Sequence, residues 1–394
     1  MTSPGLNRRT FLTTAALGAT AVGAGQVADA ATAGAAAGAP AILKPLPAER
    51  LIDYGTNAET RWDSVDPRRY LTPQADLFVR NHTATPKIDP ATYELEIFGD
   101  GLREPAGVRL GLEELKTFRH VETTSVHECT GNGRSFFTTQ QGQEVSGTQW
   151  TLGAVGAIRW KGVRLKDVLT AVGLRHDAVS VQATGLDASY VDKGVDHGHV
   201  RRPFLIEKAL DDALLVWGAN GEALLPDHGF PLRLLLPGWI GIASIKWLGS
   251  LEVSTSVLSS PWDTTWYNVD GPLTVNPVRS ALELEWNAKI PARDRIVLSG
   301  RSWSGAAPIA RVEVSTDGGE TWVRATPHAP GRPTGGHGLG WAQWDFTWRD
   351  PEPGAYEILV RATDRAGRTQ PDVAAHNPGG YFFDAVVRHP VTVV

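Results

Sequence analysis

Cysteine is nearly absent from this 394-residue sequence, which contains one cysteine and one methionine. A single cysteine excludes an intramolecular disulfide, a C-x-x-C-H haem attachment and a four-cysteine cluster. Cys129 is therefore either a buried inert thiol, which base rates favour, or a lone metal ligand or nucleophile. Its neighbours in the sequence must decide between these.

Long apolar runs and an excess of positive charge are missing as well. No stretch after the N-terminal segment reaches the roughly 18 apolar residues that a membrane-spanning helix needs. The formal net charge is -5, and a protein that neutralises phosphates is usually basic. Nucleic acid is therefore not an expected partner. The length of the chain leaves room for two domains, each with its own core.

The first 40 residues are interpreted as a targeting segment. Arg8 and Arg9 precede an alanine-rich apolar stretch, and Ala28-Asp29-Ala30 has the small-x-small pattern of a cleavage site. The string NRRTFL predicts twin-arginine export, while an ordinary secretory signal or a disordered tail stays open. We expect residues 1–40 to be an export signal and linker. The mature protein is then soluble, without a membrane span, and periplasmic or extracellular.

Residues 41–258 mix short strands with short helices, the pattern of an α+β domain. TYELEIFG (92–99) alternates as a strand does, and PLRLLLPG (231–238) is typical of a buried strand. RLGLEELKTF (109–118) and RLKDVLTAVGL (164–174) have the apolar spacing of short helices.

Residues 259–394 have a different character. Residues 259–277 are rich in turn formers and predict an inter-domain connection. Short alternating strands follow at regular spacing, with a hairpin turn predicted at Asp317-Gly318-Gly319. This pattern predicts an immunoglobulin-like β-sandwich.

The segment SVHECTGNGRSFF surrounds Cys129. Gly131 and Gly133 permit tight turns that bring backbone N–H groups close to an anion. Arg134 lies five residues after the cysteine, and an arginine there lowers the pKa of a thiol and binds anions. A soft thiolate also suits a soft metal. The alternative is a strand-to-turn junction with a buried cysteine and a surface arginine.

A second segment, LFVRNH (77–82), places Arg80, Asn81 and His82 side by side. Their guanidinium, amide and imidazole groups suit the recognition of a phosphate or oxyanion. On the residues alone, a polar loop is the alternative.

A third segment, PDHGFPLRLLLPGWIGIASIKWLG (226–249), places His228, Arg233 and Lys246 among apolar residues. A charge in such a run needs a partner, which is either a buried phosphate or an internal salt bridge. Asp187, in ATGLDASY (183–190), is either a hydrogen-bond acceptor for a heterocycle or a turn former.

Taken together, these segments resemble the sulfite oxidase family of molybdopterin enzymes. The matching strings are FVRNH, ECTGNGR, TQWTLGAVGAIRWKGVRLKDVL, GLD and DHGFPLRLLLPGWIGIASIKWLG, followed by STDGGETW, QPD and FFDAVVRHPVTV. They occur in the family's order between Asp76 and Val394. This order favours Cys129 as a molybdenum ligand over an inert thiol.

The resemblance implies an α+β molybdopterin-binding domain over residues 41–258 and an immunoglobulin-like domain over residues 259–394 that usually makes a homodimer. It implies a molybdenum–molybdopterin cofactor bound to the metal ligand Cys129, with Arg80 and Arg134 facing a small sulfur oxyanion. The implied cofactor-binding residues are Phe78, Val79, Arg80, Asn81, His82, Asp187, His228, Arg233, Ser244, Ile245 and Lys246. The implied reaction oxidises sulfite to sulfate, and electrons pass to an external acceptor such as a c-type cytochrome, or to oxygen.

The sequence departs from the family's pattern around the substrate. Ser146 stands where sulfite oxidases carry a lysine, and Val200 aligns with their active-site tyrosine. Tyr190, His197 and His199 are the other candidates for the role of that tyrosine. The arginine that the immunoglobulin-like domain normally contributes has no match in residues 338–348.

Two other functions stay open. The same cofactor in a less basic pocket suits another sulfur substrate, as in a sulfane dehydrogenase or a reductase of S-oxides. A secreted binding protein that works through its sandwich domain is the alternative from another class. That reading leaves the ordered basic motifs around Cys129 unexplained.

Overall fold

The computed structural model describes residues 41–328 and 339–394. The predicted export signal, residues 1–40, lies outside the described residues. The described strands are β1 Leu51–Asp53, β2 Asn57–Thr60, β3 Val79–Arg80, β4 Glu94–Phe98, β5 Val108–Gly111, β6 His120–Glu128, β7 Val155–Arg164, β8 Ser180–Gly185, β9 Val191–Asp192, β10 Val195–Asp196, β11 Arg201–Leu205, β12 Leu214–Ala219, β13 Glu222–Ala223, β14 Arg233–Leu235, β15 Leu248–Ser254, β16 Arg279–Leu282, β17 Ala288–Ile290, β18 Arg295–Trp303, β19 Ile309–Ser315, β20 Val323–Arg324, β21 Thr326–Pro327, β22 Ala342–Arg349, β23 Gly354–Asp364 and β24 Arg388–Val393. The described helices are α1 Leu112–Leu115, α2 Ser135–Gln141, α3 Leu165–Ala171, α4 Ile206–Asp211 and α5 Pro261–Thr264, with 3-10 turns at Trp62–Ser64, Pro226–His228 and Gly241–Ala243.

The first unit comprises β1 to β15, and two five-stranded sheets form its main part beside the small sheets β1-β2-β3 and β10-β9. One sheet has the order β11-β8-β15-β4-β5, and the other has the order β13-β12-β7-β6 with β14 paired to β12. Only β15 and β4 pair in parallel within these two sheets. The main apolar core contains fully buried aliphatic residues such as Leu95, Leu215 and Leu251. Short helices connect the strands, so the first unit has the predicted α+β class.

The pair formed by β6 and β7 positions the single cysteine. Nine residue pairs run in continuous register from His120↔Val163 to Glu128↔Val155. From Thr123 onward every residue of β6 is buried, and Cys129 follows the last of them. The chain then turns through residues 129–134 and enters α2, which ends at Gly142 with a left-handed φ of 66°. The cysteine is therefore held at the buried end of a long sheet strand.

The second unit, β16 to β24, is a two-sheet sandwich. Its sheets have the orders β16-β18-β22-β21 and β17-β24-β23-β19-β20, and their inner faces bury an apolar core that includes Val314, Trp344 and Ile358. Gly318 and Gly319 have φ values of 73° and 104° between the antiparallel strands β19 and β20, where the turn was predicted. The immunoglobulin-like sandwich is confirmed, while the predicted boundary at residues 258/259 stays a prediction.

A shared apolar cluster joins the two units beside the cysteine. Phe137 and Val155 of the first unit pack in it with Trp303 and Phe383 of the second. This contact brings the second unit against the turn that follows Cys129.

Two sequence predictions need correction. Residues 109–118 were predicted as one helix, but β5 occupies Val108–Gly111 and only Leu112–Leu115 is helical. Antiparallel pairing with β4, which a local pattern does not reveal, decides this. The predicted connection over residues 259–277 contains α5 and the fully buried Trp262, so it is part of the packed structure.

Within residues 41–328 and 339–394 no helix has the length and hydrophobicity needed to cross a membrane.

Candidate cofactor and substrate site

One cavity in the first unit gathers most of the residues that the sequence singled out. It encloses about 700 Å³, part of which opens to solvent. The predicted site residues that line it are Phe78, Arg80, Asn81, His82, Cys129, Asp187, His228, Arg233, Ser244, Ile245 and Lys246. These residues come from three separate segments and one isolated turn, so the fold brings together what the sequence keeps apart.

Cys129 lies in the wall of this cavity and is buried. Its backbone N–H donates to the carbonyl of Ala154 at 2.9 Å, and its carbonyl accepts from Asn132 N at 3.0 Å. In the described part of the chain, no three His, Cys, Asp or Glu residues form a group that could hold a metal ion. A metal at Cys129 must therefore bring most of its ligands with it.

The floor of the cavity holds two largely buried cations, Arg233 and Lys246, and neither forms a salt bridge with a carboxylate among the described residues. Arg233 donates to the carbonyls of His228 and Ser244, both at 3.0 Å, and its Nε has no partner. Lys246 donates to the Asp227 carbonyl at 2.9 Å and to the Asn81 amide oxygen. Burial lowers the pKa of Arg233 to about 9 and that of Lys246 well below 10.5. A ligand with negative charge relieves this desolvation.

The carboxylate of Asp227 forms no salt bridge with these cations, and its charge, with that of Asp187, offsets only part of the burial that lowers the pKa of Lys246. Its oxygens accept from the backbone N–H groups of Leu43 and Lys44, at 2.9 Å and 2.7 Å, and from the Thr85 hydroxyl at 2.6 Å. The positive floor therefore stays available to an anion, and phosphate is the chemistry that fits it.

Arg80, His82 and Tyr267 form a polar wall of the same cavity. The Tyr267 hydroxyl lies 3.5 Å from Arg80 Nη2 and 3.4 Å from His82 Nε2. Trp262 Nε1–H donates to His82 Nε2 at 3.3 Å, so the ring proton belongs on Nδ1. Burial and the charges of Arg80 and Lys246 hold the pKa of His82 well below 6.5. Burial raises the pKa of Tyr267 to about 12, so this wall presents one positive charge and two neutral groups.

Two predicted site residues do not line the cavity. Val79 packs with Ile42 and Ala58 in a small apolar cluster, because neighbouring residues of a strand face opposite sides. Arg134 donates from Nε to the Gly379 carbonyl at 3.0 Å and from Nη1 to the Thr148 carbonyl at 2.9 Å. Arg134 is absent from the lining of the cavity, but its guanidinium interacts electrostatically with Cys129 and Arg80.

Glycines make room for the Arg134 side chain. A Cβ on Gly131 would lie 2.5 Å from Arg134 Nη2, and one on Gly380 would lie 2.7 Å from its Cγ. Arg134 thus connects the turn after Cys129 to the second unit. There its guanidinium carbon lies 5.6 Å from the centroid of the Tyr381 ring.

The positions where the sequence departs from the family pattern are now placed. Val200 lines the cavity, whereas the Ser146 hydroxyl donates to the Pro378 carbonyl at 3.2 Å and lies outside the lining. Tyr190 packs edge-on against His82 at 5.3 Å, and His197 packs against Trp266 at 4.7 Å. His199 Nδ1 hydrogen-bonds the Asp187 carbonyl. None of these three candidates for the tyrosine role lines the cavity described above.

Several lining residues were not singled out from the sequence: His127, Thr130, Asp227, Gly241, Ile242, Trp247 and Tyr267. Thr130, Asp227 and Trp247 are direct neighbours of predicted residues. Tyr267 is different because it comes from the segment interpreted as a connection. The aromatic-rich string PWDTTWY (261–267) was the one signal that could have identified it.

Comparisons with known proteins agree with this geometry. The model of the oxidoreductase molybdopterin binding domain matches residues 82–262, and that of the Mo-co oxidoreductase dimerisation domain matches residues 273–392. Sulfite oxidase of Gallus gallus is 31% identical over 331 residues, which cover 78% of this chain and 69% of that protein. The chain belongs to the sulfite oxidase family.

Other members of the sulfite oxidase family show how the chain compares in length and shape. Mitochondrial sulfite oxidase of Rattus norvegicus is 32% identical over 329 residues, which cover 78% of this chain but 58% of that protein. The chain thus spans little more than half the length of the mammalian relatives it matches. The crystal structure of the sulfane dehydrogenase SoxCD from Paracoccus pantotrophus superposes with a TM-score of 0.72 and 26% identity, over 90% of this chain and 92% of that chain.

The cavity fits the molybdenum–molybdopterin cofactor of the sulfite oxidase family. Two polar atoms in its lining, the Thr130 hydroxyl and Asp187 Oδ1, are buried without a partner, as is Arg233 Nε. Such atoms require a polar ligand. Donors and acceptors over a cationic floor suit a heterocycle that ends in a phosphate, and the single thiol suits a soft metal. The predicted family, fold and cofactor are confirmed.

Buried histidines make the cofactor-free protein sensitive to acid. Burial holds the pKa of His82, His127 and His228 well below 6.5 in the folded state. Below about pH 6.5 the unfolded chain therefore binds more protons than the folded one, and the free energy of unfolding falls as pH falls. We expect His228→Gln to reduce this loss, measured by urea denaturation of cofactor-free protein at about pH 7.5 and about pH 5.5. The exposed His176→Gln is the control and keeps the full loss. If the free energy of unfolding falls equally with pH in His228→Gln and in wild type, the lowered pKa of His228 is not the cause of the acid sensitivity.

Proposed function

We propose that the protein is a molybdenum-cofactor oxidoreductase that oxidises sulfite to sulfate. The observation that carries this proposal is the Arg80 guanidinium, which faces the cavity beside Cys129 with no carboxylate partner in the described residues. A single cation next to a metal-binding thiol is a place for a small sulfur oxyanion.

The cofactor is held by the residues that the sequence predicted. The Cys129 thiolate ligates molybdenum, and the floor of His228, Arg233 and Lys246 binds the phosphate. Asn81 and Asp187 present amide and carboxylate oxygens to the heterocycle. When bound, the molybdenum centre supplies the two-electron oxidation–reduction chemistry.

The polar wall binds and orients the substrate. Arg80 donates charge-assisted hydrogen bonds to the oxyanion and offsets its charge. Tyr267, whose pKa of about 12 keeps it protonated at neutral pH, donates a second hydrogen bond from the same side. Fixing the anion in this way would leave its sulfur free to face the metal site beside Cys129. The net reaction converts sulfite and water into sulfate, two protons and two electrons.

Oxidation of a sulfane sulfur is the second candidate, and the lining of the cavity favours it specifically. Val200 supplies an apolar group to that lining, and Ser146, which stands in place of a family lysine, lies outside it. Such a pocket accepts a larger sulfur group on a carrier thiol. The similarity to the sulfane dehydrogenase SoxCD extends over 90% of this chain, which supports the same candidate. Reduction of an S-oxide uses the same cofactor and has less support.

The electrons leave to an external acceptor, such as a c-type cytochrome, or to oxygen. The sequence has no C-x-x-C-H motif for covalent haem.

The match to a dimerisation domain over residues 273–392 supports a homodimer. Arg8 and Arg9, in the segment outside the described residues, support twin-arginine export to the periplasm or the exterior.

Variants of the polar wall test the substrate assignment. Arg80→Met removes a charged hydrogen bond worth about 1.5–3 kcal/mol, so kcat/KM for sulfite falls roughly 10- to 150-fold. Tyr267→Phe removes a neutral one and lowers kcat/KM roughly 2- to 12-fold. Tyr190→Phe is the matched comparison. Tyr190 packs against His82 but does not line the cavity, so kcat/KM for sulfite stays near the wild-type value. Rates are divided by the molybdenum content, so that lost cofactor is not counted as lost substrate binding. A loss in Tyr190→Phe but not in Tyr267→Phe contradicts the assignment.

The wild-type holoprotein separates the two candidate substrates. We expect sulfite-dependent reduction of ferricyanide or cytochrome c, with a higher kcat/KM for sulfite than for glutathione persulfide. The reverse order favours the sulfane dehydrogenase, and activity with neither substrate contradicts both.

Export has its own test. We expect Arg8→Lys combined with Arg9→Lys to retain the full-length protein in the cytoplasm, because the twin-arginine pathway reads both guanidinium groups. Cell fractionation followed by immunoblotting measures this. An ordinary secretory signal tolerates the change, so unchanged export contradicts the twin-arginine assignment.

A further inference from the structure

A buried ion pair stands directly beside the metal-binding cysteine. Arg279 Nη1 lies 2.6 Å from Glu128 Oε1, and the two side chains are 2% and 0% exposed. Glu128 is the last residue of β6 and precedes Cys129, whereas Arg279 is the first residue of β16 in the second unit. The pair therefore links the second unit to the residue before the metal ligand.

The carboxylate of this pair also organises the turn that follows the cysteine. Asn132 Nδ2 donates to Glu128 Oε1 at 2.9 Å, and Asn132 Oδ1 accepts from Ala154 N at 3.0 Å. Cys129 N donates to the Ala154 carbonyl. Glu128 is thus tied to Ala154 through Asn132, and Cys129 is tied to Ala154 directly.

Joining the two units does not require this ion pair. The apolar cluster around Phe137, Trp303 and Phe383 already joins them. Burying two charges removes the hydration of both before their attraction is counted, and an apolar pair of similar size is often as stable. Glu128 Oε2, Arg279 Nε and Arg279 Nη2 are buried without partners, so this pair is an expensive contact for structural purposes alone.

Charges in such a position act strongly on their neighbour. The effective dielectric is low where water is excluded, and a charge one residue from a metal ligand interacts with the metal's own charge. In the intact pair the opposite charges of Glu128 and Arg279 largely cancel at the metal. Loss of either partner leaves the other charge to act on the metal alone.

We propose that the Glu128–Arg279 pair is a positioning pair that fixes Cys129 and balances the electrostatic potential at the metal. The second unit thereby sets the reduction potential of a centre bound in the first. This rests on the proposed ligation of molybdenum by Cys129 but not on the identity of the substrate.

The test is the midpoint potential of the bound metal in single and double variants. Glu128→Gln leaves the Arg279 charge unbalanced and raises the midpoint potential, because positive charge favours the reduced metal. Arg279→Gln leaves the Glu128 charge and lowers the potential, so either single variant decides the sign if the other does not fold. The double variant, Glu128→Gln with Arg279→Gln, returns toward wild type. Redox titration followed by electron paramagnetic resonance gives these values without turnover.

The pair formed by Arg301 and Glu283 provides the matched control. It is also buried, with N···O at 2.5 Å, and Glu283 lies in the second unit, four residues after Arg279 along the chain. Glu283→Gln lowers the thermal midpoint of the cofactor-free protein as Glu128→Gln does, but leaves the metal potential unchanged. Equal potentials in wild type and both single variants at the Glu128–Arg279 pair, or shifts of the same sign, overturn the proposal while leaving the cofactor assignment intact. Absence of molybdenum from the wild type overturns both.

Discussion

Buried positive charge is the constraint on which the site depends. Arg80, Arg233 and Lys246 lie in one cavity, and the nearby carboxylate of Asp227 is already bound by backbone N–H groups and a hydroxyl. Desolvated cations without counter-ions destabilise a fold. An anionic cofactor supplies the missing charge, so binding it and stabilising the first unit are the same event.

The two units contribute different things to this arrangement. The sheets of the first unit hold the cysteine at the end of β6 and the cations below it. The second unit does not line the cavity within the described residues, but it braces the turn after the cysteine. Phe382 N–H donates to the Thr130 carbonyl at 3.0 Å, and the Gly379 carbonyl accepts from Arg134. The second unit thus helps to fix the geometry of the turn after Cys129, the proposed metal ligand.

Local motifs allowed most of the site to be predicted from the sequence. The segment around Arg80 and the cysteine segment each occupy only a few residues, so their chemistry is visible without the fold. Tyr267 and the position of Arg134 were not predicted, because both depend on packing between distant parts of the chain. The interpretation of residues 109–118 as one helix failed for the same reason, since β4 pairs with their first half. The strands of the sandwich were recognisable because they alternate in a regular pattern.

The most direct test of the account is the molybdenum content of the purified protein and of Cys129→Ser. The change replaces a soft sulfur with an oxygen of similar size, so the fold is preserved while the metal ligand is removed. Elemental analysis should find molybdenum equimolar with the wild-type chain. The variant loses one metal ligand but keeps the phosphate-binding floor and the ligands that the cofactor brings, so we expect a changed electron paramagnetic resonance signal of the bound metal, with both proteins folded by circular dichroism. Wild-type protein that lacks molybdenum after expression in a host that makes the cofactor contradicts the account. A variant whose metal signal is unchanged does so as well.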